Sequence, residues 1–154
     1  MRTRLLKLLL VLATFAGSHD VLAQNETKVR FVAVNVYLDS TQPVAAWQFE
    51  LADQNGLMKV VGVENGDSAA FSRAPYYDRE AVQLGTADRI VVADFSLADS
   101  SQLPSGHARI ATVHLMLSGA GEPAFKLELV TAVTHDGEVI DASISLESPT
   151  GSES

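Results

Sequence analysis

The chain contains no cysteine, so neither a disulfide framework nor a lipid-modified cysteine is available, and the fold must depend on an apolar core alone. Basic residues are also scarce: 11 Lys and Arg stand against 19 Asp and Glu, which gives a net charge of -8 at pH 7. After residue 23 the few cations are scattered singly along the chain and form no cluster. An acidic surface without a basic patch repels phosphate backbones and anionic lipids, so nucleic-acid binding and membrane-surface binding are excluded.

Long apolar runs are absent as well, and the N-terminal run is too short to cross a bilayer, which takes about 20 residues. This N-terminal segment has the three parts of an export signal: Arg2, Arg4 and Lys7, then the apolar run Leu8 to Ala16, then the cleavage site Val21 to Ala23. We therefore predict that residues 1–23 are a signal peptide removed on export. The mature protein is then expected to be secreted or periplasmic in a bacterium, without membrane insertion.

Most of the remaining chain alternates apolar and polar residues with period two, which is typical of strands with one buried face. The predicted strands are Val29 to Leu38, Ala45 to Leu51, Leu57 to Val63, Arg89 to Phe95, Ala111 to Leu117, Phe125 to Val133 and Val139 to Leu146. Turns rich in Gly, Asn and Asp separate them. The pattern predicts an all-β, antiparallel two-sheet sandwich over residues 24–147, a surface loop with a turn of helix at Asp78 to Leu84, and a disordered tail at 148–154.

Few residues of the sequence indicate a catalytic, cofactor-binding or metal-binding site. No G-x-S-x-G elbow is present, and most acids lie in predicted turns, so we expect no enzyme activity and no cofactor. Three histidines follow the export signal, His107, His114 and His135. Because His107 and His114 are seven residues apart, one regular strand would place them on opposite faces, and no metal site is predicted.

Aromatic residues offer a possible sugar platform, because a planar ring stacks on a pyranose. The single tryptophan, Trp47, is in register with Phe49 and Leu51, which indicates a core position. Tyr76 and Tyr77, together with Arg73, lie in the predicted loop and are the alternative carbohydrate-binding residues.

Four segments, taken in order, resemble the cohesin domain, a β-sandwich related in fold to some carbohydrate-binding modules. They are VAAWQFELADQNGLMKVVGVENGD, DRIVVADFSLAD, LPSGHARIATVHLML and LELVTAVTHDGEVIDASISL. The resemblance spans about residues 29 to 147, and one strand before Ala45 stands where cohesins usually have two, so the chain looks like a shortened relative. It implies a cohesin-like or jelly-roll-type sandwich that binds a protein partner, of dockerin type or another type.

In cohesins the partner docks on the face of one sheet. The strands that resemble this sheet are Val44 to Ala52, Arg89 to Ser96, Ile110 to Leu117 and the strand near Val139. Alternation then predicts that the outward side chains on this face bind the partner: Gln48, Glu50, Thr112, His114 and Met116. Two alternatives stay open, namely a carbohydrate-binding module linked to polysaccharide breakdown and a structural surface domain.

Overall fold

A computed structural model describes residues 28–148. Besides two single-turn 3-10 helices, the described residues contain seven strands and one short α-helix: β1 (Val29–Ser40), β2 (Ala46–Asp53), β3 (Met58–Asn65), α1 (Arg79–Gln83), β4 (Arg89–Phe95), β5 (Gly106–Ser118), β6 (Phe125–Val133) and β7 (Ala142–Glu147). The first sheet has the strand order β3-β5-β1-β7, and the second sheet has the order β4-β2-β6. All strand pairs are antiparallel, so the predicted two-sheet β-sandwich is confirmed.

The core lies between the inner faces of the two sheets. On β2 the alternation places Trp47, Phe49 and Leu51 inside, each at most 1% exposed. The rings of Trp47 and Phe49 are 5.7 Å apart and nearly parallel. In the first sheet Val113 and Leu115 face them and are equally buried. The prediction that Trp47 belongs to the core is therefore confirmed, and burial of these side chains supplies most of the stability of a domain without disulfides.

Three β-bulges interrupt the alternation. The register of β1 against β5 shifts at Ile110, that of β3 against β5 shifts at Val61, and that of β2 against β6 shifts at Val130. An extra residue in one strand lets two successive side chains share a face or moves the following ones to the other face. The bulges thus decide which side chains around Ile110, Val61 and Val130 reach the surface.

The segment between β3 and β4 crosses from one sheet to the other. Tyr76 forms an isolated antiparallel bridge with Ala93 through two backbone hydrogen bonds of 2.8 and 3.0 Å. The second sheet is thereby extended beyond β4 by this one residue pair. Asp78 then caps α1, because its Oδ1 accepts the N–H of Ala81 at 2.9 Å. The predicted turn of helix at Asp78 to Leu84 is confirmed within one residue at each end.

The last strand is shorter than predicted. β7 begins at Ala142, whereas Val139 makes only an isolated bridge with Val133 at the end of β6. The intervening Gly137 has a φ of 81°, because the chain turns back on itself after β6. The predicted signal peptide and residues 149–154 of the predicted tail lie outside the described residues. Between Lys28 and Ser148 no helix has the length and apolar character needed to span a bilayer.

Candidate functional site

The five residues predicted to bind a partner divide between two surfaces. Gln48 and Glu50 point outward from β2 in the second sheet, whereas Thr112, His114 and Met116 lie on β5 in the first sheet. The outer faces of the two sheets are on opposite sides of the sandwich. The prediction of one shared docking face is therefore wrong, and Ile110 to Leu117 does not belong to the same sheet as β2 and β4. The physical reason is that β2 and β5 show the same alternation of apolar and polar residues but pair with different strands. The alternation therefore does not say to which sheet each strand belongs.

Thr112 takes part in a polar network on the outer face of the first sheet and is only 5% exposed. Arg109 Nη1 donates to Thr112 Oγ1 at 2.6 Å, and Thr112 Oγ1 donates to Asn35 Oδ1 at 2.8 Å. Arg109 also binds both carboxylate oxygens of Asp67. The guanidinium lowers the pKa of Asp67 below its ordinary value. A side chain committed to this network is not available to a partner.

His114 and Met116 are half-buried. His114 Nε2 lies 3.1 Å from Glu64 Oε1, without the angle of a hydrogen bond. Met116 lies between Lys59 on β3 and Phe31 on β1. This part of the first sheet is a mixed, partly charged surface.

His107 and His114 share the outer face of the first sheet, so the prediction that they lie on opposite faces is wrong. The bulge at Ile110 inserts one residue between them and restores the same orientation. His107 Nδ1 is 2.9 Å from Asp39 Oδ1, and its ring stacks on Tyr37 with centroids 4.4 Å apart. Within residues 28–148 no three His, Asp or Glu side chains come together in a way that could hold a metal ion.

The outer face of the second sheet carries a group of exposed apolar side chains, which we call the apolar face: Tyr76, Val91, Phe95 and Val130. Each is between 37% and 55% exposed. The rings of Tyr76 and Phe95 are 6.0 Å apart and nearly parallel, with an angle of 9°. A groove of about 270 Å³ runs beside these rings and is bordered by Gln48 and Thr131. The sequence-predicted residues Gln48 and Tyr76 therefore meet on one surface.

Charged residues lie between and beside these apolar side chains and pair with one another, and Glu50 on the central strand is directly opposite Val91. Arg89 Nη1 lies 2.8 Å from Glu50 Oε2, and Lys126 Nζ lies 3.2 Å from Glu128 Oε2. Glu50 is thus already engaged within its own sheet. The face is locally neutral although the chain carries a net charge of -8. A mixture of apolar and polar side chains is usual in a protein interface.

The three residues of the predicted sugar platform point to different places. Tyr76 lies on the apolar face, whereas Tyr77 is half-buried against the core and is covered by the Arg79 guanidinium, 4.8 Å from its ring centroid. Arg73 is exposed beside a cavity of about 200 Å³ that also contacts Asp94 and Phe95. A platform of Tyr76 with Tyr77 is therefore excluded by geometry, and the ring that accompanies Tyr76 is Phe95.

Sequence reasoning missed Val91, Phe95 and Val130. The run RIVVADF contains consecutive apolar residues, so periodicity alone does not say whether its odd or even positions face outward. The structure resolves this choice, because Ile90 and Val92 are buried and Val91 and Phe95 are exposed. Val130 is exposed as the extra residue of a bulge, which no sequence pattern indicates.

Comparison with solved structures identifies the architecture. A type I cohesin from Clostridium thermocellum, solved with a dockerin, matches with a TM-score of 0.55 and 16% identity over 73% of this chain and 82% of its own. The cohesin of a second cohesin–dockerin complex matches equally well, with a TM-score of 0.55 and 15% identity over 73% of this chain and 82% of its own. A non-cellulosomal cohesin from Archaeoglobus fulgidus has a TM-score of 0.50 and 16% identity over 75% of each chain. No protein-family model and no curated protein matches the sequence. The chain therefore has a cohesin-like fold.

Proposed function

We propose that this protein is an exported, nonenzymatic recognition module that binds a protein partner through the apolar face of its second sheet. The observation that carries the proposal is the exposure of Tyr76, Val91, Phe95 and Val130 on one side of the sandwich. Large apolar side chains that lie together on a surface are typical of interaction sites, whereas single exposed ones are not.

The chemistry of the face indicates the kind of partner. The paired charges among its residues leave no strong net charge to be neutralised. A partner helix with an apolar stripe fits such a surface, with polar contacts to Gln48 and Thr131 fixing its orientation. Two of the similar cohesins were solved with dockerin partners, which supports a protein ligand for this fold.

The test compares matched variants of the two outer faces. The protein without residues 1–23 serves as bait in a native extract, the captured partner is identified, and the purified partner is then titrated by calorimetry. The Phe95→Glu variant places a charge against the Tyr76 ring on the apolar face, and we expect binding about 30-fold weaker or more, as for an interface residue that carries much of the binding energy. The control is His114→Glu combined with Met116→Glu, which alters the opposite face.

The control variant should bind like the wild type. If the control loses the partner and Phe95→Glu retains it, the recognition surface is the first sheet and the proposal is wrong. Circular dichroism melts of both variants establish that each is folded, since Phe95 and Met116 both lie on outer faces.

A second candidate function rests on the stacked pair of Tyr76 and Phe95. Exposed aromatic rings desolvate the apolar face of a sugar, and the adjacent groove has Gln48 and Thr131 as hydrogen-bonding groups. A glycan array probed with the wild type and with Tyr76→Ala separates the two functions. A glycan bound by the wild type and lost by the variant favours carbohydrate recognition over protein recognition.

Export is the remaining part of the proposal, and it rests on the basic start, the apolar run and the cleavage site of residues 1–23. N-terminal sequencing of the protein from culture medium and periplasm should give Gln24 as the first residue. An intact Met1 in a membrane fraction would contradict it.

A further inference from the structure

The sequence contains two Asn-Gly pairs, Asn55-Gly56 and Asn65-Gly66, and the fold places them in different surroundings. In an Asn-Gly pair the side-chain amide is open to attack by the backbone nitrogen that follows it, because glycine has no Cβ to hinder the approach and rotates freely. The two pairs therefore offer the same chemistry in two structural settings.

Asn55-Gly56 lies in the turn between β2 and β3, and both residues are exposed. Gly56 has a φ of 67°, and a Cβ at this position would meet no atom within 4 Å. The Gly56 N–H donates to the Asp53 carbonyl at 3.2 Å, which is at the long end of the range for such bonds. An exposed turn with a long bond at the reacting nitrogen opens locally far more easily than a strand within a sheet.

Asn65-Gly66 is held firmly against β5. Asn65 is the last residue of β3, is paired with Ala111 and is only partly exposed. A Cβ at Gly66 would lie 2.7 Å from both the Arg109 carbonyl carbon and Ile110 Cα, so the Gly66 backbone is packed directly on that of β5. The chain cannot rotate the Gly66 nitrogen toward the Asn65 side chain without separating β3 from β5.

We propose that Asn55 is a site of spontaneous deamidation in the folded protein and that the fold protects Asn65. The Gly56 nitrogen gives its proton to solvent and attacks Asn55 Cγ, and the new C–N bond closes a five-membered succinimide ring. The bond between Cγ and Nδ2 breaks, and Nδ2 takes up a proton and leaves as ammonia. No oxidant or reductant is needed.

Water then opens the ring at either of its two carbonyl carbons. When the bond from the ring nitrogen to Cγ breaks, residue 55 becomes aspartate. When the bond from the nitrogen to the backbone carbonyl carbon breaks, residue 55 becomes isoaspartate, and the main chain then runs through Cβ and Cγ. Both products carry a new carboxylate, and isoaspartate also lengthens the main chain by one methylene group.

Both products weaken the contacts that hold this end of the domain together. Asn55 Nδ2 donates to the Glu122 carbonyl at 2.9 Å and so joins the turn to the segment before β6. A carboxylate has no N–H to donate, and it also adds a negative charge beside the Asp53 carboxylate. The longer chain of isoaspartate moreover shifts the N–H groups of Leu57 and Met58 away from Asp53 Oδ2, which accepts both of them.

The turn is distant from the apolar face of the proposed function. Phe95 pairs with Ala46 at the start of β2, whereas Asn55 follows Asp53 at the end of the same strand. Deamidation at Asn55 is therefore a time-dependent loss of stability that leaves the side chains of the apolar face in place.

Peptide mapping tests the proposal. The purified protein is kept folded in a mildly alkaline buffer, and samples are digested with trypsin at intervals. Cleavage after Lys59 places residue 55 in peptide 31–59 and residue 65 in peptide 60–73. Chromatography with mass spectrometry then measures the change from amide to acid in each peptide and separates aspartate from isoaspartate. We expect both products at residue 55 and an unchanged residue 65.

Two controls show whether the fold is responsible. In urea both peptides should convert at similar rates, because the unfolded chain gives both Asn-Gly pairs the same freedom. Asn55→Gln lacks the asparagine that closes the ring, so its urea midpoint should stay constant during incubation while that of the wild type falls as residue 55 converts. Conversion of residue 65 as fast as residue 55 in the folded protein, or no conversion at residue 55, would overturn the proposal.

Discussion

Trp47 and Asp94 lie directly opposite each other across β2 and β4, with both side chains directed into the sandwich. They are 1% and 7% exposed. Trp47 Nε1 and Asp94 Oδ2 find no hydrogen-bond partner among the described residues, although Asp94 Oδ1 accepts the N–H of Phe95 at 2.8 Å. The largest ring of the core and a buried carboxyl group thus share one end of the domain, directly beneath the apolar face.

Replacing Trp47 by Ala should destabilise the domain by about 3–5 kcal/mol, because the substitution leaves a cavity between the two sheets. Urea unfolding monitored by circular dichroism measures the change. Phe95→Ala is the control, since Phe95 is exposed on the same sheet and should cost far less. Acrylamide that fully quenches Trp47 fluorescence in the native wild type would contradict the core assignment.

Replacing Asp94 by Asn should stabilise the protein at neutral pH by about 1 kcal/mol, the order of the cost of an unsatisfied buried group. Burial raises the pKa of Asp94 above 3.8, although the N–H of Phe95 and the charge of Arg73 oppose the shift. A raised carboxyl pKa favours folding while the group is protonated, and this contribution is lost as the pH rises through the folded pKa.

The melting temperature of Asp94→Asn should therefore exceed that of the wild type at pH 7, and the difference should shrink as the pH falls toward the unfolded pKa. Asp99→Asn, an exposed acid in the next loop, controls for the change in net charge. A difference in melting temperature between Asp94→Asn and the wild type that is independent of pH, or that grows on acidification, would contradict this role. It would show that Asp94 is not a buried carboxylate that destabilises the fold at neutral pH.

Asp53 joins the turn after β2 to the start of β6. Its two carboxylate oxygens accept the N–H groups of Asn55, Leu57, Met58 and Ala124 at 2.7–3.2 Å. Asp53→Ala should destabilise the domain by about 2–3 kcal/mol, because several backbone donors lose a charged acceptor at once. Asp53→Asn keeps one acceptor oxygen and should cost less. Equal stability of Asp53→Ala and the wild type in urea would contradict this role.

The pH dependence of Asp53 has the opposite sign from that of Asp94. Burial raises its pKa and is the largest single cause, but the four backbone N–H groups together lower it below 3.8. The stabilisation is present above the unfolded pKa and is lost as the pH falls through the folded value. The difference between the wild type and Asp53→Ala should therefore be largest near neutral pH and should diminish in acid.

The strands could be predicted from alternation because one face of each strand is buried. Arg89–Phe95 and Phe125–Val133 were predicted to the residue, and the core position of Trp47 followed from its register with Phe49. Alternation is local, however, and it does not say which strands pair. The assignment of β2 and β5 to one face failed for this reason.

Bulges account for the other failures at the candidate site. A bulge adds one residue to a strand without any special residue type, so counting along β5 placed His107 and His114 on opposite faces. The same effect exposed Val130 on β6. The apolar face is formed by β4, which Tyr76 bridges directly, and by β6, and these two strands meet only through β2, which lies between them.

Gly66→Ala should destabilise the domain by roughly 1–3 kcal/mol or more, because the new methyl group meets backbone that has no room to move. A Cβ at Gly66 would lie 2.7 Å from both the Arg109 carbonyl carbon and Ile110 Cα, and closer still to the Arg109 carbonyl oxygen. That oxygen accepts the N–H of Asp67 at 3.1 Å, so moving the chain away also breaks a hydrogen bond. Gly62→Ala is the matched control, since its Cβ would be 3.9 Å from the His114 side chain, an ordinary contact. Chemical denaturation of both variants should separate them, and similar midpoints would show that the Gly66 turn can relax.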